Sequence, residues 1–359
     1  MTPEANSGSN YVIGESVDKA DESVRFGVIG LNHFHIYMQV DALIDAGGHL
    51  VSFYAAEQHL MEEFAKRYPD ASAAADERVI LEDPSILLVA SAAIPNERAP
   101  LGVQVMNHGK DFMVDKAGVT DLEQLAEVRR VQAQTGRIYS IYYAERFDSR
   151  ATVRAGELVQ AGAIGRVLQT VGLGPHQLNE PSRPAWFFER DKYAGILADI
   201  ASHQADQFLY FTGSREAEVV ASHVANYSHP NHPEFEDFGE AMFAGDGGTG
   251  FVRLDWYTPD GLSTWGDGRL FVLGTDGYIE IRKYCDIAGR PGGEHLFLVD
   301  NSETRYIDCQ EAPLPYASQL MYDVLNRTGT AMGQEHCFLA SELALKAQAQ
   351  AKRTNLPVP

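Results

Sequence analysis

The chain has 359 residues, enough for two domains, since a single hydrophobic core seldom grows past about 250–300 residues. Its 29 Lys plus Arg stand against 50 Asp plus Glu, a net charge of −21 that would repel a nucleic-acid backbone or an anionic membrane surface. No apolar run reaches the ~18 residues of a membrane span, and the N-terminal stretch lacks the basic-then-apolar order of an export signal, so a cytoplasmic protein with neither nucleic-acid nor membrane partners is expected.

Residues 1–23 are polar and acidic without sustained periodicity and are expected to form a flexible tail. From Arg25 the pattern changes. Short apolar runs (RFGVIG, HLVSFY, ILLVASAA, DFMVD, RIYSIYY) alternate with amphipathic stretches (FHIYMQVDALIDAG, HLMEEFAKRY, NERAPLGVQVMNHG, LEQLAEVRRVQAQTG). Continuous apolar strands joined by helices indicate a doubly wound parallel sheet, covered on both faces, over residues 24–145.

The turn after the first run, GVIGLNHFHIY, looks like a dinucleotide-binding turn short of two glycines. Counted as G-x-G-x-x-G from Gly30, the second position is Asn32 and the third His35. A helix starting near Phe34 would still offer free N–H groups and the positive end of its dipole to a phosphate. Asn32 tolerates the left-handed conformation that a tight turn asks for, and His33 or His35 could donate to phosphate oxygens. Alone, the turn fits either a nucleotide site or an ordinary strand-to-helix connection.

Past residue 146 the character shifts. A helix (SRATVRAGELVQAG) leads to RVLQTVGLG, and residues 217–308 alternate apolar and polar residues between Gly- and Asp-rich turns, as in an antiparallel sheet with one packed face. Two helices near 316–327 and 337–353 close the chain, so residues 146–359 read as an α+β domain. Cys285, Cys309 and Cys337 lack metal-ligand spacing and read as packing residues. The stretch SHPNHPEFED (228–237) carries His229, His232, Glu234, Glu236 and Asp237. Its two prolines exclude the helical H-x-x-x-H geometry, so a solvated loop with no metal is expected there.

Two further motifs give the opening turn a context. VDKAG places Lys116 just after the fifth strand, and AGILADIASH places Asp199 and His203 four residues apart on one helical face. With these residues the chain resembles the Gfo/Idh/MocA family of nicotinamide-dependent oxidoreductases from about 24 to 350. The family's Glu-Lys-Pro motif reads Asp115-Lys116-Ala117 here, and its GG-x-x-x-D-x-G-x-H helix is matched by Ala194-Gly195, Asp199, Ala201 and His203.

The resemblance implies a Rossmann domain followed by an α+β domain whose large, mostly antiparallel open sheet mediates assembly into a homo-oligomer, a dimer or tetramer. It implies an NAD(H)-dependent dehydrogenase or reductase acting on CH–OH groups of a small-molecule substrate, a sugar or polyol. His203 would serve as acid/base, Lys116 would stabilise charge at the reacting oxygen, and Asp199 would orient the substrate or His203. The cofactor would lie along Gly30, Asn32, His33, Phe34, His35, Glu57, Ala93, Pro95, Asn96, Asp115 and Lys116. No basic residue follows the second strand in YAAEQ, so NAD is expected over NADP; Ala55 stands at the usual ribose carboxylate, so either Glu57 reaches back or ribose recognition is weak. Arg98 stands where the family more often has histidine. Arg146, His176, Arg183, Trp186 and Trp265, in loops or at element ends, are expected to meet substrate. The missing glycines and Ala117 leave open a non-redox nucleotide- or sugar-binding accessory protein. Glycoside chemistry through transient oxidation, which occurs in the wider family, also stays open; retention of Lys116 and His203 favours the dehydrogenase.

Overall fold

The computed structural model describes residues 23–354, so the expected tail lies outside the described residues apart from Ser23. The first domain runs β1 (Arg25–Ile29), α1 (His35–Asp45), β2 (His49–Tyr54), α2 (Gln58–Arg67), β3 (Ser72–Ala73) and α3 (Glu77–Leu81). It continues through β4 (Leu88–Ser91), α4 (Pro95–Asn107), β5 (Asp111–Asp115), α5 (Leu122–Thr135) and β6 (Tyr139–Tyr142). All six strands are parallel, in the order β3-β2-β1-β4-β5-β6. Strands β4, β5 and β6 are buried along their whole length, as an apolar run covered by helices on both faces must be. The strand order reverses between β1 and β4, and the crevice at such a switch point is where ligands of open α/β sheets bind. Neither the short β3 nor α3 has an apolar run long enough to be read from the sequence.

The second domain begins with α6 (Ala144–Phe147), α7 (Arg150–Gln160), β7 (Val167–Pro175), α8 (Arg190–Tyr193), α9 (Ile196–Asp199) and α10 (Ala201–Thr212). Strands β8 (Ala217–Ala225), β9 (Phe238–Gly245), β10 (Thr249–Asp255), β11 (Arg269–Gly274), β12 (Gly277–Arg282), β13 (His295–Asp300) and β14 (Thr304–Asp308) follow. The last elements are α11 (Tyr316–Asn326), α12 (Gln334–Gln350) and β15 (Lys352–Thr354). The nine strands lie in the order β14-β13-β12-β11-β7-β10-β9-β8-β15, antiparallel except for the pairs β7–β10 and β8–β15. Helices α10 and α12 pack on one face of this sheet, while Val220, Met242, Leu273 and Tyr278 stand exposed on its strands.

The expected single helix through Asp199 and His203 is two segments. Ile200 caps α9 and precedes α10, whose polar residues are drawn into the interior by partners described below. The expected solvated loop at 228–237 is also corrected: Phe235, Glu236 and Asp237 are fully buried. His229 Nδ1 lies 2.9 Å from Asp237 Oδ2. Glu236 pairs with Arg190 at 3.1 Å and with Arg353, and it accepts from Gln348 Nε2 at 3.0 Å and from the Ile196 N–H at 3.0 Å. A buried carboxylate needs such partners, and composition alone does not reveal them. The strand after α12 adds the ninth member of the sheet, where only helix was expected. All three cysteines are free and buried. No helix among the described residues is long and apolar enough to cross a membrane.

Candidate active site

The β1–α1 turn depends on its one remaining glycine. Gly30 has φ +87°, and a Cβ there would sit 2.5 Å from the Cβ of Ala93, the residue facing it after β4. Across the switch point the two strand ends are tied by Ala92 N–H to Gly30 O (3.1 Å) and His33 N–H to Ala92 O (2.9 Å). Helix α1 begins with no side-chain cap and no acidic residue in its first turn; Ile36 and Tyr37 donate to the carbonyls of His33 and Phe34 at 3.1 and 3.2 Å, which leaves the N–H groups of Phe34 and His35 and the dipole's positive end for an anion. Asn32 Nδ2 donates to Glu57 Oε1 at 2.8 Å, which brings that carboxylate back to the turn.

Where a third glycine would let helix and strand touch, histidines converge on Asp115 at the end of β5. His35 Nδ1 lies 2.9 Å from Oδ1, His33 Nδ1 3.1 Å from Oδ2, and Arg98 Nη2 donates to Oδ2 at 3.0 Å. Burial alone would raise the Asp115 carboxyl, but His35 and Arg98 override it and hold the group well below the usual range. Burial, with His35 beside it, brings His33 down to about 3, so its ring is neutral. Arg98, 1% exposed, also donates to Ala93 O at 2.7 Å and, from Nη1, to the carbonyls of Asp115, Lys116 and Ala117. That one guanidinium fixes the segment carrying Lys116, whose peptide bond to Ala117 is cis.

Lys116 Nζ donates to Asp199 Oδ1 at 2.8 Å, with both side chains buried. Burial works against the Asp199 carboxylate, and the Lys116 ammonium more than compensates, leaving it below its ordinary value. His203 is 3% exposed; burial lowers it to about 3, and its Nδ1 has no hydrogen-bond partner among the described residues. Its position follows from α10, which is buried nearly all round between the sheet and α12 and therefore finds internal partners for most of its polar groups. Gln204 Nε2 donates to Glu145 Oε2 at 2.9 Å, Gln207 Oε1 accepts from Lys283 Nζ at 2.8 Å, and Asp206 receives Arg146.

These groups open on one cavity of about 450 Å³ between the two domains. Of the residues expected from sequence, His33, Phe34, His35, Pro95, Asp115, Lys116, Asp199, His203, His176, Arg183, Trp186 and Trp265 line it. Gly30, Asn32, Glu57, Ala93 and Asn96 do not line it; Ala93 packs on Gly30, Asn32 and Glu57 pair at the half-exposed turn, and the Asn96 carbonyl accepts from Gln124. Arg146 is a correction: its guanidinium turns from the cavity to grip both oxygens of Asp206 at 2.6 and 2.7 Å, where His336 also bonds.

The residue before it, Glu145, lines the cavity instead. Burial would raise this carboxyl, but Lys283 Nζ at 2.6 Å and the neighbouring histidines bring it down to about 2. Sequence reading also missed Lys283, Trp256, Tyr284, Asp148 and Glu294. Only the two aromatics in that set, following strand-like runs at a domain edge, carry any local signal. His176, lowered by burial to about 4, donates from Nδ1 to Gly174 O at 3.0 Å, and its ring packs against Trp256 and Trp265.

A family profile for the GFO/IDH/MocA C-terminal domain matches residues 152–280. A solved structure from Erwinia carotovora atroseptica SCRI1043 that carries an oxidoreductase designation is 46% identical, covering 92% of this chain and 99% of its own, with TM-score 0.90. Levoglucosan dehydrogenase of Pseudarthrobacter phenanthrenivorans is 27% identical over 168 residues, 45% of this chain and 42% of that protein. The chain thus spans about half the length of the curated relatives it matches. A structure of a levoglucosan dehydrogenase in complex with NADH is 17% identical, covering 91% of this chain and 97% of its own, and shares the fold with TM-score 0.75.

Proposed function

The chain belongs to the Gfo/Idh/MocA family of oxidoreductases, and on that premise we propose that it is an NAD(H)-dependent dehydrogenase or reductase of a sugar, polyol or related hydroxy compound. The observation that carries this reading is Lys116 Nζ held 2.8 Å from Asp199 Oδ1, in one cavity with His203 and beneath the start of α1. Sugar dehydrogenases among its relatives point the same way.

The residues present fit a dinucleotide. Gly30 keeps the backbone of the turn open, α1 offers uncapped N–H groups to the pyrophosphate, and Glu57, oriented by Asn32, accepts from ribose hydroxyls. A negative charge at Glu57 favours NAD over NADP. When bound, the nicotinamide supplies the hydride acceptor or donor. The protein handles the proton. His203 is neutral at physiological pH and so has a ring nitrogen free to accept from the substrate hydroxyl. An imidazole this reluctant to charge is a weak base by itself. The Lys116 ammonium, donating to the same oxygen, favours the alkoxide and closes that gap. Asp199, 2.8 Å from Nζ, aims the Lys116 side chain.

The exposed apolar side chains of the nine-stranded sheet, Val220, Met242, Leu273 and Tyr278 among them, support a homo-oligomer, dimer or tetramer. Light scattering at micromolar concentration should give a multiple of 39.5 kDa. The function itself is tested by parallel fluorescence titrations with NADH and NADPH, followed by absorbance screening of sugars and polyols. Tighter binding of NADH is expected; failure of both nucleotides to bind at millimolar concentration defeats the redox reading.

A further inference from the structure

The cationic side chains around the cavity are not all answered by the protein. Arg98 has Asp115 at 3.0 Å, Lys116 has Asp199 at 2.8 Å, and Lys283, just behind the wall, has Glu145 at 2.6 Å. Arg183 lines the same cavity and, among the described residues, has no carboxylate within ion-pair distance. Its Nε donates to Leu178 O at 2.8 Å and its Nη2 to Gln177 O at 3.3 Å, both neutral acceptors, and Nη1 donates to nothing among the described residues. The guanidinium lies 4.6 Å from the ring centre of Phe187 and 5.1 Å from that of Trp256, so rings hold its plane. Asp199 is the carboxylate whose field reaches it, and Asp199 is already engaged by Lys116.

A partly buried charge in an apolar setting is costly unless paired. A guanidinium with a free edge, its plane fixed by aromatic rings and its stem by two carbonyls, is preorganised for a planar carboxylate. We propose that Arg183 forms a carboxylate subsite, so that the cavity takes a sugar acid or another polyhydroxy carboxylic acid rather than a neutral polyol. The inference deepens the dehydrogenase reading and rests on it only for calling the ligand a substrate. The hydroxyl-bearing part of such a ligand faces acceptors of a different kind, Glu145 and His176, on the remaining wall.

All 3 tryptophans of the chain, Trp186, Trp256 and Trp265, line the cavity, so intrinsic fluorescence reports on its occupancy without turnover. The probes are matched pairs, D-galacturonate against D-galactose and D-gluconate against D-glucitol, titrated into wild type and Arg183→Met with NADH present. In wild type the acid of a pair should bind about 30-fold or more tighter than its neutral partner, the range expected when a desolvated charge pair is made or broken. In Arg183→Met that gap should vanish, the acid losing far more affinity than the neutral compound. If the Met variant fails to fold, Arg183→Gln, which retains donors for the two carbonyls, carries the same expectation. Equal or better binding of the neutral partner, binding of neither compound, or a gap that survives in the variant overturns the subsite. Carboxylate-dependent binding without nicotinamide turnover keeps the subsite and defeats the dehydrogenase reading. Turnover of neutral polyols with no gap does the reverse.

Discussion

Where the first domain meets the cavity, Asp115 is shared by His33, His35 and Arg98, and Arg98 spends its remaining donors on three consecutive carbonyls around Lys116. Where the second domain meets it, the wall is Trp186, Trp256, Trp265 and Phe187, with Arg183 and the Nδ1 of His203 left without polar partners of their kind. The charges of the first wall are answered within it, although His33 Nδ1, 3.1 Å from Asp115, completes no hydrogen bond. The second is rigid through rings and incomplete in charge. The difference fits a division of labour: a nearly constant ligand is met by a surface whose charges are paired, and a selected one by a surface whose guanidinium it must pair.

The comparison breaks first at the groups that touch both walls. Lys116→Ala and His203→Ala should each lower kcat by roughly 10²–10⁴-fold, the usual worth of a positioned acid/base, with NADH affinity little changed in a fluorescence titration. Asp199→Asn should cost less in rate and more in KM. Wild-type turnover in the first two variants would make the constellation structural.

The paired wall is tested by unpairing it. Asp115→Asn leaves the Arg98 charge buried without its carboxylate and should destabilise the protein by about 3–5 kcal/mol in urea unfolding. Arg98→Met in the same chain removes the stranded charge and should recover much of that loss. A single Asp115→Asn variant as stable as wild type would show that the hub is not paired as described.

Acidification acts on buried histidines of both walls, His203 first. His203 is held to about 3 when folded against about 6.5 when unfolded, so below pH ~6.5 the unfolded chain binds a proton that the folded one refuses. Stability should therefore fall as pH drops from 6.5 towards 3, by about 2 kcal/mol at pH 5 from this one ring. His33 and His176, lowered to about 3 and about 4, act in the same direction. Urea midpoints at pH 7.5 and 5.0 check the sign, and His203→Asn should flatten the slope. The smallest effect is expected at the rim: Glu57→Gln should weaken NADH about tenfold, the worth of one charge-assisted hydrogen bond, and NADPH by less.

Much of this was legible in the sequence where the signal is local. Apolar runs located five of the six strands of the first sheet, and the family resemblance carried by the Lys116 and Asp199–His203 motifs brought three residues to one site. What failed were choices settled by partners far along the chain. Glu145 and Arg146 are neighbours about 100° apart on a four-residue helix. Arg146 was the more obvious candidate, but Asp206, 60 residues on, captures it and leaves Glu145 to the cavity. Lys283 reads as one more charge after a strand until Glu145, 138 residues away, is placed against it. The acidic, Pro-rich stretch at 228–237 has every mark of solvent exposure, yet Arg190 and Arg353 make Glu236 an interior residue.

That clamp on Glu236 also bears on when the site is complete. The start of α9, the helix that ends in Asp199, takes one cap from Glu236 at the Ile196 N–H and another from Gln348 Oε1 at the Leu197 N–H, 151 residues later. Gln348 and Arg353 in turn hold Glu236. During vectorial synthesis the site and the first sheet wait for the same residues: the helix bearing Asp199 for Gln348, and the six-stranded sheet for Tyr316, Arg327 and Gln334, which bond to Ser140, Asp111 and Tyr139. Neither the Rossmann unit nor the active site is complete until the closing helices of the described chain are in place.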